Sequence, residues 1–208
     1  IYSEYYNQLV DTSEKFDNYL SSFNRYIRGT HKDAWIKRLN ESKDLLSLRG
    51  EYTALGFDES KIKDTFLSFI ADPDVFVENK NKLFTKSELN SAHNLFDNLE
   101  EHPLTERQRE ACVYDEDNVL VIAGAGTGKT STMVAKAAYL VQRGFARPEE
   151  ILMLAFGKDA SKELEERVCD LGYLNGAVIR TFHSLGKEII GCYENRATNV
   201  SVLASDDA

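Results

Sequence analysis

The residues best suited to chemistry in this chain stand together at Ala123-Gly124-Ala125-Gly126-Thr127-Gly128-Lys129-Thr130. Glycines at 124, 126 and 128 allow a tight turn that brings backbone N–H groups against anionic oxygens. A helix starting behind them adds the partial positive charge of its N-terminus. Lys129 is a flexible point charge of the right reach for terminal phosphates. The Thr130 hydroxyl is the right donor to ligate Mg²⁺. The pattern is that of a phosphate-binding loop, with Ala123 in place of its usual first glycine. The stretch Ala123 to Ser131 is therefore the candidate site for a nucleotide, with ATP and Mg²⁺ as the expected ligands.

Such a loop works only between a strand and a helix. Asn118–Ala123 is a short apolar, β-branched run that predicts a buried strand ahead of it. Met133, Val134, Ala137, Leu140 and Val141 recur at helical spacing over Lys129–Arg143, and Gly144 closes that helix. Ile151–Phe156 predicts a second buried strand and Asp159–Leu171 a helix ended by Gly172. Ala177–Phe182 predicts a third strand, and Ser184–Ile190 starts a further helix. This alternation predicts an α/β fold with a parallel sheet, its chemistry gathered where strands end.

The first hundred residues read differently. Tyr5, Tyr6, Leu9, Val10, Phe16, Tyr19, Leu20, Phe23, Tyr26 and Ile27 share one face of a predicted helix over most of Ser3–Arg28, ended by Gly29-Thr30. A second helix is predicted from near Lys32 to Gly50. A weaker one covers about Ser60–Ile70, closed by Asp72-Pro73. A fourth covers about Lys86–Glu101, capped by Thr85 or Ser87. The aromatic stripe is expected to pack inside this helical part, where His31 and His93 stand alone without a catalytic cluster. The division falls near Pro103, with a helical region over 1–102 and the nucleotide-binding part over 103–208.

Bulk properties narrow the class. Net charge is −9, from 34 acidic and 25 basic residues, and no basic tail or stripe is present. That argues against binding duplex DNA through the overall field, though a local groove survives on an acidic body because salt screens distant charge within about 10 Å. The three cysteines, Cys112, Cys169 and Cys192, are odd in number and widely spaced, unlike a disulfide framework or zinc site. Free, at least partly buried thiols in a reducing cytoplasm are expected. No apolar run approaches the roughly 20 residues that span a bilayer, and the first residues lack the features of a signal peptide. The chain starts without Met, and we expect it to be a piece of a longer protein.

The flanks of the loop carry a family resemblance. The Ala-Gly-Ala-Gly-Thr-Gly-Lys-Thr loop closely resembles that of the UvrD/Rep family of superfamily 1 DNA helicases. Upstream, Leu104-Thr105-Glu106-Arg107-Gln108-Arg109-Glu110-Ala111 resembles that family's Q motif, with Gln108 at the adenine-reading position. An amide both donates and accepts, as an adenine edge requires. Downstream, Leu154-Ala155-Phe156-Gly157-Lys158-Asp159 resembles motif Ia, where a strand ends at a loop touching single-stranded DNA. Gly157 stands where the common form has Thr, and Phe-Gly-Lys resembles the helicase IV branch. Arg180-Thr181-Phe182-His183-Ser184-Leu185 resembles motif Ib. The resemblance implies that Phe156, Gly157, Lys158, Thr181, Phe182 and His183 contact DNA, the phenylalanines by stacking on bases or, alternatively, by capping the sheet core. It covers about Leu95 to Ala208 and implies a RecA-like first motor domain.

What the resemblance implies is an ATP-dependent helicase or translocase on single-stranded DNA, moving 3′ to 5′. The Asp-Glu pair of later motifs has two candidates. Asp115-Glu116-Asp117 precedes the loop and so cannot end a later strand. Val202-Leu203-Ala204-Ser205-Asp206-Asp207 resembles the lead into an inserted domain instead. The chain is thus expected to stop inside the first motor domain and to be inactive alone. A competing reading is a P-loop ATPase that remodels a protein or repair complex, its aromatic helices docking a protein partner. A kinase or GTPase fits less well, since no guanine-reading Asn-Lys-x-Asp segment occurs.

Overall fold

The computed structural model describes residues 1–194. They are mostly helical, with a small parallel sheet of two strands. The chain divides into two compact units, one formed by residues 1–94 with 109–122, the other by 95–108 with 123 onward.

The first unit is a helical assembly. Helix α1 covers Tyr2–Ser22 and buries Tyr6, Leu9, Phe16 and Leu20. The aromatic stripe thus lies largely in the core, where Phe16 meets Trp35, Phe66 and Phe69 at ring separations of 5.6, 6.2 and 5.1 Å. Helix α1 ends six residues earlier than its periodicity predicts. The stripe continues through Tyr26 and Ile27, both buried, but on non-helical backbone. The Asn81 side chain explains this: its Oδ1 accepts from Ile27 N–H at 2.8 Å and its Nδ2 donates to Ile27 O at 2.9 Å. Those groups are then satisfied from outside a helix.

Gly29 does not end a helix; it opens α2, Gly29–Ser47. This helix has no acid in its own first turn. The acids come from Asp115-Glu116-Asp117. Glu116 accepts from Gly29 N–H at 2.6 Å, and Asp117 accepts from both Thr30 N–H and Thr30 Oγ1 at 2.8 Å. Arg28 binds Asp115 at 2.6 Å. Carboxylates are favoured at such a helix start, so a cap supplied from far along the chain replaces the local one.

Short α3, Arg49–Ala54, has no counterpart in the sequence-based expectation. The weak third pattern resolves into a 3₁₀ turn at Glu59–Lys61 and α4, Asp64–Ala71. Asp72-Pro73 closes α4 as expected and also starts α5, Pro73–Ser91, with Asp72 accepting from Val75 N–H at 3.0 Å. Proline suits a first helical position, where its missing N–H costs nothing. Thr85 and Ser87 therefore lie inside α5, not at a cap. A break at Ala92 separates α5 from α6, His93–Asn98, so the single predicted helix over 86–101 is two. His31 is not isolated: its Nδ1 accepts from Arg28 N–H at 3.1 Å. Helix α7, Glu106–Val113, carries Gln108.

The second unit holds α8, Lys129–Gln142, which buries Val134, Ala135, Ala137, Ala138 and Tyr139. Strand β1, Leu152–Ala155, leads into α9, Lys158–Asp170. Strand β2, Val178–Thr181, leads into α10, Phe182–Glu194. The strands are parallel, with Leu152 opposite Val178 and Ala155 opposite Thr181. Met153, Ala155 and Ile179 of the sheet share a core with Leu164 and Val168 of α9 and Val134, Ala137 and Ala138 of α8.

The first predicted strand is absent: Asn118–Ala123 pairs with no strand among the described residues. Leu120 and Ile122 are 84% and 89% exposed. A strand exists only through bonds to a neighbour, and this run has none. No disulfide joins the three cysteines among the described residues; Cys112 is buried, whereas Cys169 on α9 and Cys192 on α10 are exposed. The 202–207 segment lies outside the described residues.

Candidate functional site

The candidate site is built around the start of α8. Gly126 and Gly128 have φ of 72° and 82°, the left-handed region that glycine alone enters without strain. Gly128 is the residue before α8, so the loop turns directly into the helix. The Thr127 hydroxyl donates to Gly124 O at 2.8 Å and tightens the turn. The Lys129 ammonium rests on the loop's own carbonyls, 2.6 Å from Gly124 O and 3.3 Å from Ala123 O. A phosphate oxygen would hold that cation more strongly than a neutral carbonyl does. Thr130 is half-buried in the first helical turn, and Ala125 is exposed in the loop.

Gln108 belongs to the same place. Its Oε1 accepts from Thr105 N–H at 2.8 Å and from Thr105 Oγ1 at 3.0 Å, while its Nε2 donates to Thr127 O at 3.1 Å. The amide orientation follows from chemistry, since a backbone N–H can only donate and a carbonyl only accept. The oxygen is therefore engaged, and the second Nε2 hydrogen is the group left for a base. A Cβ added at Gly128 would lie 2.5 Å from Nε2. The close approach of Gln108 to the loop thus depends on glycine there.

A cavity of about 380 Å³ opens beside these residues. It is lined by Gly126, Thr127, Gly128 and Ser131 together with residues 100–104 and Gln108. Sequence reasoning missed Glu100, Glu101, His102 and Pro103 as wall residues. The available signal was their place just ahead of Gln108. The cradle, the cation and the size of the cavity fit a nucleoside triphosphate with its metal; Lys129 and the loop amides would hold phosphate, and Thr130 the metal. Such a nucleotide, when bound, supplies the energy of phosphoanhydride cleavage.

The sheet gathers the other candidates. Phe156, Gly157 and Lys158 follow β1, and Thr181, Phe182 and His183 end β2 and open α10. Because Ala155 faces Thr181 in register, both sets emerge at one edge of the sheet. Neighbouring strands lie about 4.8 Å apart, so they are close neighbours. Phe156 is 89% exposed and Phe182 59% exposed, so neither caps the core. Gly157 precedes α9 with extended backbone, leaving the first amides of that helix beside Lys158. Thr181 and Ser184 cap α10 reciprocally: Ser184 N–H donates to Thr181 Oγ1 at 3.2 Å, and Thr181 N–H to Ser184 Oγ at 2.9 Å. The Thr181 hydroxyl therefore fixes where His183 and Phe182 stand.

The family model of the UvrD/REP helicase N-terminal domain matches residues 104–207, half of the chain. DNA helicase IV of Escherichia coli is 41% identical over 128 residues, which cover 62% of this chain and 19% of that protein. DNA helicase II of Rickettsia typhi is 39% identical over 89 residues, 43% of this chain and 14% of that protein. The ATP-dependent DNA helicase SRS2 of Saccharomyces cerevisiae is 36% identical over 95 residues, 42% of this chain and 8% of that protein. The chain thus spans a fifth or less of the length of these relatives. With that family model matching residues 104–207, the chain belongs to the UvrD/REP helicase family.

Proposed function

We propose that this chain is the ATP-binding and first DNA-contacting part of a DNA helicase that translocates on single strands, 3′ to 5′. Residues 103–208 form the opening of its RecA-like motor domain, and residues 1–102 a helical region ahead of it. Lys129, Thr130 and the loop amides hold ATP and Mg²⁺, and Gln108 reads the base through its remaining N–H. Lys158, Thr181 and His183 hold the DNA backbone, while Phe156 and Phe182 stack on bases. The observation that carries this reading is the placement of two exposed phenylalanines at one sheet edge, in the same compact unit as the nucleotide cavity.

ATP hydrolysis by the full-length protein, with and without single-stranded DNA, is the test. We expect strong stimulation by DNA, and its loss in Lys129→Ala. The 208-residue chain by itself should bind a fluorescent ATP analogue weakly and turn none over, because neither described strand after the loop, β1 or β2, ends in an Asp-Glu pair that would hold the metal and orient water. Hydrolysis indifferent to DNA would favour the remodelling ATPase, with the helical region as a protein-docking module. Steady turnover by the 208-residue chain, abolished in Lys129→Ala, would refute the expected inactivity.

A further inference from the structure

Arg167 sits at the far end of α9 from the DNA-contacting loop. Its Nη1 donates to Ser131 Oγ at 3.0 Å and to Glu100 Oε1 at 3.2 Å, and its Nη2 to Glu163 Oε1 at 2.8 Å. Its side chain is only 35% exposed. Ser131 and Glu100 both line the nucleotide cavity, and Ser131 directly follows Thr130. The guanidinium therefore ties two lining residues together, with Glu163 bracing it from its own helix. A planar fork reaches three acceptors from two separate nitrogens, a spread that the single nitrogen of a lysine does not provide.

Helix α9 gives that bridge a second function. It begins at Lys158, next to Phe156 and Gly157, and Leu164 and Val168 clamp it in the sheet core. Nine residues separate Lys158 from Arg167, so the helix carries displacement over about 14 Å as a rigid rod. Through these contacts a shift of α9 would move Arg167 against Ser131 and Glu100, and a change of cavity width would pull on α9.

We propose that Arg167 is a positioning residue that couples the nucleotide cavity to the single-stranded DNA edge through α9. The inference rests on the DNA-contacting role given above to residues 156–158. Coupling is reciprocal: each ligand changes the affinity of the other by one factor, commonly about 5-fold or more.

The test is the affinity of the full-length protein for a fluorescein-labelled oligo-dT, with and without saturating ATPγS, compared in wild type, Arg167→Ala and Arg167→Lys. Wild type should show an ATPγS-dependent change of about 5-fold or more. In Arg167→Ala the change should shrink below about 2-fold, while each ligand alone binds within about 3-fold of wild type. Arg167→Lys, which keeps the charge but not the fork, should fall between. Undiminished coupling in Arg167→Ala overturns the proposal. So does a loss of both separate affinities with a lowered melting temperature, if Arg167→Lys restores everything, since that marks a purely structural residue. Wild-type protein that binds both ligands without coupling sinks this inference alone; wild-type protein that binds no oligo-dT sinks the DNA-contacting assignment itself.

Discussion

Gly128 concentrates several requirements in one position. Its φ of 82° is a conformation that costs other residues about 1–2 kcal/mol. Its missing Cβ also leaves the space that Gln108 Nε2 occupies. Gly128→Ala therefore imposes two penalties, strain in the turn and displacement of the Gln108 amide from Thr127 O. We expect a stability loss of about 1–3 kcal/mol, read by urea unfolding, together with weaker binding of a fluorescent ATP analogue. The analogue's affinity separates the two: strain alone would leave the affinity at saturating stability unchanged. Gln108 itself was legible from its spacing to the loop. Its commitment to Thr105 was not, because the direction of an amide depends on which donors surround it.

At the scale of elements, the acidic triplet 115–117, whose place ahead of the loop already rules it out as a strand-end acidic pair, finds its use in capping α2. The hydrogen bonds from the Thr30 hydroxyl and then the Thr30 amide, with Arg28 and His31 nearby, hold the Asp117 carboxyl below its ordinary value. A carboxylate with a depressed folded-state value stabilises above its unfolded value and loses that contribution as pH falls through the folded one. Asp117→Asn should therefore lower the melting temperature at neutral pH, and the difference from wild type should vanish on acidification through the carboxylate range. A difference constant across pH would assign the effect to shape, not charge. The same scale explains the misplaced helix ends. Gly29 and Pro73 are each strong punctuation, but each can end one helix or begin the next, and contacts from distant residues decide which.

At the scale of the molecule, the exposed run 119–122 stands out. An apolar segment that pairs with no strand among the described residues is a template for pairing with another chain. Leu120 and Ile122 project the most exposed side chains of that run. The 208-residue chain should self-associate through it, and Leu120→Lys with Ile122→Lys should shift it toward monomer in sedimentation velocity. Unchanged association in the double variant would place the sticky surface elsewhere.

Two kinds of information are separable in this protein. The phosphate-binding loop, α8 and α9, the positions of β1 and β2 and the aromatic stripe of α1 were all readable from order and spacing. Helical periodicity, glycine turns and short apolar runs are local, and local physics dictates them. Tertiary structure alone decided where α1 stops, because Asn81 reaches Ile27 from another helix. It alone turned Asp115–Asp117 into a cap, and it alone brought Glu100, Ser131 and Arg167 around one cavity. It also withheld a strand from Asn118–Ala123, whose composition is that of a strand. A helix carries its hydrogen-bond partners within itself, whereas strands, distant caps and cavity walls need partners whose place no nearby residue records.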